Sequence, residues 1–134
     1  MIPESISAIY YLLGKKGWIF QIVMALIGFC LLPFWLEITP NEWQVLPFLS
    51  CISLLFIAVA PQFRLQLDGV VHYTSAIICG ICAVLWMFIQ GHINIFLFCL
   101  AGVIIPVLYD PKKYMWWLEI SIMISLLLSI IFYK

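Results

Sequence analysis

The feature that most constrains this chain is a series of five apolar stretches separated by short polar connections. They cover about residues 17–36, 42–60, 69–90, 94–109 and 114–133. At about 1.5 Å per residue, helices of these lengths cross a hydrocarbon core about 30 Å thick, with 94–109 on the short side. We therefore expect an all-α polytopic integral membrane protein with five transmembrane helices. A short interfacial helix is expected over residues 3–16.

Composition supports this class and excludes others. The 134 residues are 66% hydrophobic and 9% charged, which is far more apolar than a soluble domain. The net charge is zero, and a nucleic-acid partner would require a basic face. No cleavable signal, internal repeat or soluble domain is expected, so residues 1–134 form one membrane domain. The expected partners are the lipid bilayer and either further copies of the chain or another membrane protein, without a cofactor.

The distribution of basic residues predicts an orientation. One side of the predicted bundle holds five of them, namely Lys15, Lys16, Arg64, Lys112 and Lys113. The other side holds Lys134. By the positive-inside rule, the N-terminus is cytoplasmic and the C-terminus lies outside the cell (inner, plasma) membrane. Aromatic side chains are predicted to form belts at both interfaces. These are Trp18, Tyr109, Tyr114, Trp116 and Trp117 inside, and Trp35, Trp43, Trp86 and Tyr133 outside.

Two polar turns resemble helix starts. Thr39-Pro40-Asn41-Glu42 has the pattern of a capping box with proline at the first helical position. Asp110-Pro111 repeats the order of cap and proline before the last span. Both turns therefore predict where the following helices begin.

The third span carries a polar face. Asp68, His72, Ser75, Cys79, Cys82, Ala83, Trp86 and Gln90 fall within about 100° of one another on a helical wheel. In lipid, such a face is expected to turn toward protein. Small residues at helical spacing predict close helix packing; they are Ser75, Ala76, Cys79, Gly80 and Ala83 on this span and Ser121, Ser125 and Ser129 on the last. The CxxC formed by Cys79 and Cys82 is interpreted as packing, because it lies in mid-helix.

Five polar or ionisable residues are predicted to converge in the cytoplasmic third of the bundle: Gln21, Arg64, Asp68, His72 and Glu119. An ionisable residue within a membrane requires a partner and indicates a functional site. One interpretation is a site for a small ligand, an ion or a lipid headgroup. The alternative is a structural lock in which Asp68 caps the third span, Arg64 reaches lipid phosphates, and Glu119 pairs with His72 or Arg64.

A third interpretation is catalytic. Asp68 would orient His72 as a base, and Ser75 on the same helix face would be the nucleophile of an intramembrane hydrolase. Three side chains that point outward from one helix rarely meet in such a geometry. No metal site is predicted, because His92 lies at the opposite end of the span from His72.

Several short patterns resemble known families. Ala60, Pro61, Phe63, Val71 and His72, with Trp116 or Trp117 before Glu119, are similar to the "AP-x-F…VH" junction and "W…E" start in a set of short bacterial polytopic membrane proteins without an assigned function. Pro61-Gln62 resembles the PQ-loop transporter repeat, although those families have three or seven helices. Asp68, His72 and Ser75 resemble ceramidase-like hydrolases, but their HxxxH pair is missing here.

These patterns lead to one functional expectation with two alternatives. The expected protein is a binding or transport module for a small ligand, ion or lipid headgroup, acting as an oligomer because five short helices make a thin bundle. The first alternative is a structural or accessory membrane subunit without its own ligand. The second is the intramembrane hydrolase.

Overall fold

The structure is a computed structural model that describes residues 5–62 and 65–133, without the side chains of Gln62 and residues 65–68. The described chain is helical, without strands. Short 3₁₀ turns lie at Gly14–Lys16, Asn41–Trp43, Ala60–Gln62 and Pro111–Lys113. The α-helices are α1 (Ala8–Leu12), α2 (Gly17–Glu37), α3 (Val45–Val59), α4 (Leu65–Ile89), α5 (Ile93–Tyr109) and α6 (Tyr114–Ile131).

Within the described ranges, four helical segments are long and apolar enough to cross a membrane. They are Gly14–Glu37, Asn41–Val59, Gly69–Ile89 and Pro111–Ile131. The chain is therefore an all-helical, multi-pass membrane protein. Helix α5 is also apolar but has 17 residues, which extend over about 25 Å. The predicted crossing at residues 94–109 coincides with this helix and stays a prediction.

The helices pack side by side in a row. Helix α3 packs along both α2 and α4, and α5 packs along α6, whereas α4 meets α6 over a shorter stretch. Close approach of α2 and α3 occurs at Gly28, where a Cβ atom would lie 3.3 Å from Leu55 and 3.4 Å from the Cys51 carbonyl oxygen. Glycine at this position lets the two helix backbones approach each other.

Two apolar cores lie toward opposite ends of the helices. We call the end that carries Lys15, Lys16, Lys112 and Lys113 the inner end and the opposite end the outer end. The outer core contains Trp35, Cys51, Ala83, Trp86, Met87 and Leu126. The inner core contains Phe20, Met24, Ile57 and Ala58. Ile6, Ile9 and Tyr10 pack against it; they belong to residues 5–12, which we call the N-terminal segment. The predicted interfacial helix is thus reduced to five residues, α1, and it is docked on the inner core.

The polar face of α4 packs against the other helices. Ser75, Cys82, Ala83 and Trp86 are buried. The opposite side is exposed and apolar, with Ile77, Ile81, Leu85 and Phe88 between 44% and 65% accessible. This distribution agrees with the predicted orientation of the third span, because only the apolar side is suited to contact lipid tails.

The capping box predicted at Thr39-Pro40-Asn41-Glu42 is wrong. Asn41–Trp43 forms a 3₁₀ turn, α3 begins only at Val45, and neither helical start has a side-chain capping hydrogen bond. The Thr39 hydroxyl instead donates to the Trp35 carbonyl at 2.5 Å and accepts from Trp86 Nε1 at 2.8 Å. Thr39 thus supplies the acceptor for the buried indole N–H of Trp86, whereas the indole N–H of Trp35 is buried without a partner among the described residues.

The predicted outer aromatic belt is also wrong for two residues. Trp35 is 1% exposed and Trp86 is fully buried, so neither contacts the membrane interface. Their rings pack edge to face at 5.5 Å inside the outer core. Tryptophan combines a large apolar surface with one N–H group, and here these properties serve packing between helices.

Candidate functional site

A groove lies at the inner end of the helices, and we call it the inner groove. Its volume is about 930 Å³, in the range of ligand-binding cavities. It lies between the N-terminal segment, α4 and α6, with Phe20 and Ile57 as part of its wall. The polar residues that line it are Ser5, Ser7, Tyr10, Tyr11, His72, Tyr73, Lys112, Tyr114 and Glu119.

The positions of these polar residues follow from where the helices begin. His72 lies in the early turns of α4, and Glu119 is the sixth residue of α6. Lys112 lies in the 3₁₀ turn that precedes α6. Because α4 and α6 both start at the inner end, their polar residues meet at the same end of the groove.

The remaining wall of the groove is apolar. It follows α4 and α6 away from the polar end and consists mainly of Ile77, Gly80, Ile81, Val84, Leu85, Leu118 and Ile122. Ile77, Ile81 and Leu85 are also among the exposed apolar side chains of the chain. The groove therefore opens sideways, toward the surface that faces lipid tails.

Glu119 has a partner that the sequence does not suggest. Its Oε2 atom accepts a hydrogen bond from the backbone N–H of Ile6, 2.6 Å away and 113 residues apart in the chain. Hydrogen bonds to charged groups are among the stronger ones in proteins. This contact holds the N-terminal segment at the polar end of the groove.

His72 lines the same groove as Glu119, so the structure brings these two predicted residues together. The His72 ring is half-buried and packs edge to face against Tyr73 at 5.7 Å. Lys112 was not included in the predicted site, yet it lines the same groove. A basic residue just before the last span could have indicated this position.

The other predicted site residues are placed differently. Gln21 lies in α2 and does not line the groove. Arg64 lies outside the described residues, as does the side chain of Asp68. Ser75 is 8% exposed and does not line the groove either, so the proposed nucleophile is separated from the cavity that holds His72.

The small residues of α4 divide between two surfaces. Ala76 and Gly80 line the inner groove. Cys79 faces α3, where the Ser50 hydroxyl donates to the Cys79 carbonyl at 3.0 Å and lies 3.4 Å from its sulfur atom. All five cysteines are described and are free thiols. Cys82 and Ala83 are buried.

The serine row of α6 is fully inside the structure. Ser121, Ser125 and Ser129 are each at most 2% exposed. Ser125 donates to the Ser121 carbonyl and Ser129 to the Ser125 carbonyl, both at 2.7 Å. These two hydroxyls are therefore satisfied within their own helix. The Ser121 hydroxyl is buried without a hydrogen-bond partner among the described residues.

A second polar and aromatic group, at the outer end, was not predicted. Trp86, His92 and Tyr133 lie with their ring centroids 5.8–6.3 Å apart, and the Tyr133 hydroxyl donates to Gln90 at 3.3 Å. These contacts join the end of α4, the turn after it and the end of α6. The group therefore links three segments of the chain at the outer end.

Asp110 and Lys113 form an ion pair at the inner end, outside the groove. Their side chains are 2.9 Å apart, and the hydrogen bond from Lys113 lowers the pKa of Asp110. The proline after Asp110 begins the 3₁₀ turn before α6, as predicted, but Asp110 makes no side-chain capping hydrogen bond and α6 itself begins at Tyr114.

In the parts of the chain that are described, no three histidine, cysteine or acidic side chains are grouped to hold a metal ion. The chemistry that the inner groove offers is therefore hydrogen bonding and charge at one end and apolar contact along the rest. Comparison with known proteins gives no match to any protein-family model, curated protein or solved structure.

Proposed function

We propose that this protein is a membrane-embedded binding module that holds one lipid molecule in the inner groove. The headgroup would lie at the polar end, near His72, Glu119 and Lys112, and an acyl chain would lie along α4 and α6. Binding is the first step of either storage or transport of such a ligand. The proposal narrows the expected small ligand, ion or lipid headgroup to an amphipathic molecule.

The observation that carries this proposal is the division of the groove into a polar end and an apolar length. A small ion would need only the polar end. A fully apolar ligand would make no use of the hydrogen-bonding and charged groups of Glu119 and Lys112. A lipid matches both parts in one molecule.

We further propose that the protein lies in the plasma (inner) membrane with its N-terminus in the cytoplasm and its C-terminus outside. Lys15, Lys16, Lys112 and Lys113 support this orientation, because they precede α2 and α6 at the inner end. The polar end of the groove would then be at the level of the cytoplasmic leaflet.

Oligomer formation is part of the proposal. The outer surface of α5 is widely exposed, with Phe98, Ile105 and Leu108 each more than 70% accessible. Helices arranged in a row enclose little interior, so further copies would increase the protein surface available for packing. Native mass spectrometry reports the copy number together with any retained lipid.

The direct test of lipid binding is to fill the groove with a larger side chain. In Gly80→Phe a large ring would occupy the apolar length, because Gly80 lines the groove. Gly80→Ala is the matched control, since its Cβ atom would make an ordinary contact of 3.7 Å with Ile122. Protein purified in a mild detergent would be analysed by native mass spectrometry and by lipid extraction.

We expect the wild type and Gly80→Ala to retain about one lipid per chain and Gly80→Phe to lose it. The thermal unfolding transition of Gly80→Phe in lipid-free detergent should be cooperative, which shows that the variant is folded. Equal lipid retention by all three proteins, or no lipid on the wild type, would contradict the proposed function.

The alternative function is a structural or accessory subunit. The hydrogen bond from Ile6 to Glu119 favours it, since this bond fixes the N-terminal segment to α6 without any ligand. In that case Glu119→Ala would lower the unfolding temperature or the copy number and leave lipid retention unchanged. The lipid-binding proposal predicts that the same variant changes which lipids are retained.

A further inference from the structure

The N-terminal segment occupies the polar end of the inner groove in the way that a ligand would. Ser5, Ser7 and Ala8 line the groove, and the intervening Ile6 donates its backbone N–H to Glu119 at 2.6 Å. Helix α1 has only five residues and buries none of them. Besides this hydrogen bond, the segment is held by the apolar contacts of Ile6, Ile9 and Tyr10 with the inner core.

Tyr10 anchors the segment near its C-terminal end. The Tyr10 ring packs over Gly17, where a Cβ atom would lie 2.7 Å from it. Tyr10 also meets Phe20 edge to face at 6.5 Å. Residues 5–8 could therefore leave the polar end while Tyr10 keeps the segment beside α2.

The group that Ile6 presents to Glu119 indicates which headgroup would replace it. A backbone amide satisfies the hydrogen bond but is neutral, so it does not match the charge of a carboxylate. A primary ammonium group donates the same kind of hydrogen bond and also carries the opposite charge. Lys112 lines the same groove and offers a positive charge to a phosphate group.

We propose that the ligand is a phospholipid with a primary amine in its headgroup, and that its ammonium group displaces the Ile6 N–H from Glu119. This inference depends on the proposed function, because it concerns the same groove. The N-terminal segment is then an internal competitor that closes the polar end when no lipid is bound. Lipid entry requires the segment to move away.

The choice between headgroups gives a sharp test. Phosphatidylethanolamine has an ammonium group that can donate hydrogen bonds, whereas the trimethylammonium of phosphatidylcholine has no N–H. Both carry the same charges, so charge alone cannot produce a difference between them, and the Glu119 variants distinguish the hydrogen bond from the size of the three methyl groups. Delipidated protein would be titrated with each lipid, matched in acyl chains, and the bound fraction measured by native mass spectrometry.

We expect wild-type protein to prefer phosphatidylethanolamine by about tenfold, the size of one hydrogen bond to a charged group. Glu119→Gln keeps an acceptor but removes the charge, so the ammonium group gains only a neutral hydrogen bond and the preference should weaken. Glu119→Leu removes the acceptor as well, and it should lose the preference. Asp110→Asn is the control, because it removes a carboxylate at the same membrane surface that is paired with Lys113 outside the groove. It should retain the preference.

The competition by Ile6 is tested separately. Ile6→Pro removes the N–H group, and Ile6→Ala keeps it. Both variants lose the isoleucine side chain, so the two differ in the amide and in the ring that fixes φ at position 6. We expect Ile6→Pro to bind phosphatidylethanolamine about tenfold more tightly than Ile6→Ala, because the segment no longer competes through Glu119.

Two results separate the two proposals. In the first result, both lipids bind equally, the two Ile6 variants behave alike, and Gly80→Phe still prevents binding. The groove is then a lipid site, but the proposed amine headgroup and the competition by Ile6 are wrong. If neither lipid binds the wild type under conditions where it is folded, the proposed function itself is wrong.

Discussion

The indole Nε1 of Trp86 donates a hydrogen bond to the Thr39 hydroxyl at 2.8 Å, and this contact joins the middle of the chain to the turn after α2. Thr39 in turn donates to the carbonyl of Trp35. Both tryptophans are buried and pack edge to face. One hydroxyl therefore connects the end of α2 to α4 inside the outer core.

Thr39→Val should destabilise the protein. Valine keeps the shape of threonine but leaves the Trp86 N–H buried without its acceptor, at a cost of about 1–3 kcal/mol. Thermal unfolding in a defined detergent measures the loss. Thr74→Val, on the exposed surface of α4, is the matched control and should leave the transition unchanged. An equal effect of the two substitutions would show that the hydrogen bond does not contribute.

Gly28→Leu should separate α2 from α3. A Cβ atom alone would lie 3.3 Å from Leu55 and 3.4 Å from the Cys51 carbonyl, so a leucine forces the helices apart. Overpacking of this kind costs about 1–3 kcal/mol. Gly102→Leu in α5 is the control, because no atom lies within 4 Å of its Cβ position. The unfolding temperature should fall for the first variant and not for the second.

Ser121→Ala should stabilise the protein slightly. The Ser121 hydroxyl is buried without a partner among the described residues, and a buried unsatisfied group costs about 1–3 kcal/mol. Ser125→Ala should not stabilise, since its hydroxyl already bonds to Ser121 and Ile122 carbonyls at 2.7 and 3.0 Å. A lower unfolding temperature for Ser121→Ala would show that this hydroxyl has a partner in the assembled protein.

The two chain ends should lie on opposite sides of the membrane. This outcome requires α5 to cross, although it has only 17 residues. Alkaline phosphatase fused after Lys134 should be active in a bacterial host, and the same enzyme fused before Met1 should be inactive. If both fusions behave alike, α5 does not cross and the number of crossings is even.

Helix positions could be predicted where apolar stretches end at charged or proline-containing turns. Residues 17–36 and 94–109 were predicted as spans, and α2 and α5 differ from them by one residue at one end. Helix α4 begins at Leu65, four residues earlier than predicted, because polar residues were assigned to a loop although they are compatible with a helix. Hydropathy locates the membrane portion of a helix and not its polar extension.

The candidate site could be predicted only in part. His72 and Glu119 were expected at one depth because of their positions in their spans, and both line the inner groove. The bond from Ile6 to Glu119 could not be predicted, because it involves a backbone N–H that every residue except proline carries. Trp86 was predicted both on the protein-facing side of the third span and in the outer aromatic belt, and its burial confirms the first prediction and not the second. The Thr39 acceptor is revealed only by three-dimensional packing.

The sideways opening of the inner groove has a consequence for how a ligand would reach it. Ile77, Ile81 and Leu85 belong both to the groove wall and to the exposed surface of α4. A molecule can therefore enter by lateral diffusion in one leaflet without passing through water. Its occupancy would follow the mole fraction of that lipid in the leaflet and would be insensitive to its aqueous concentration.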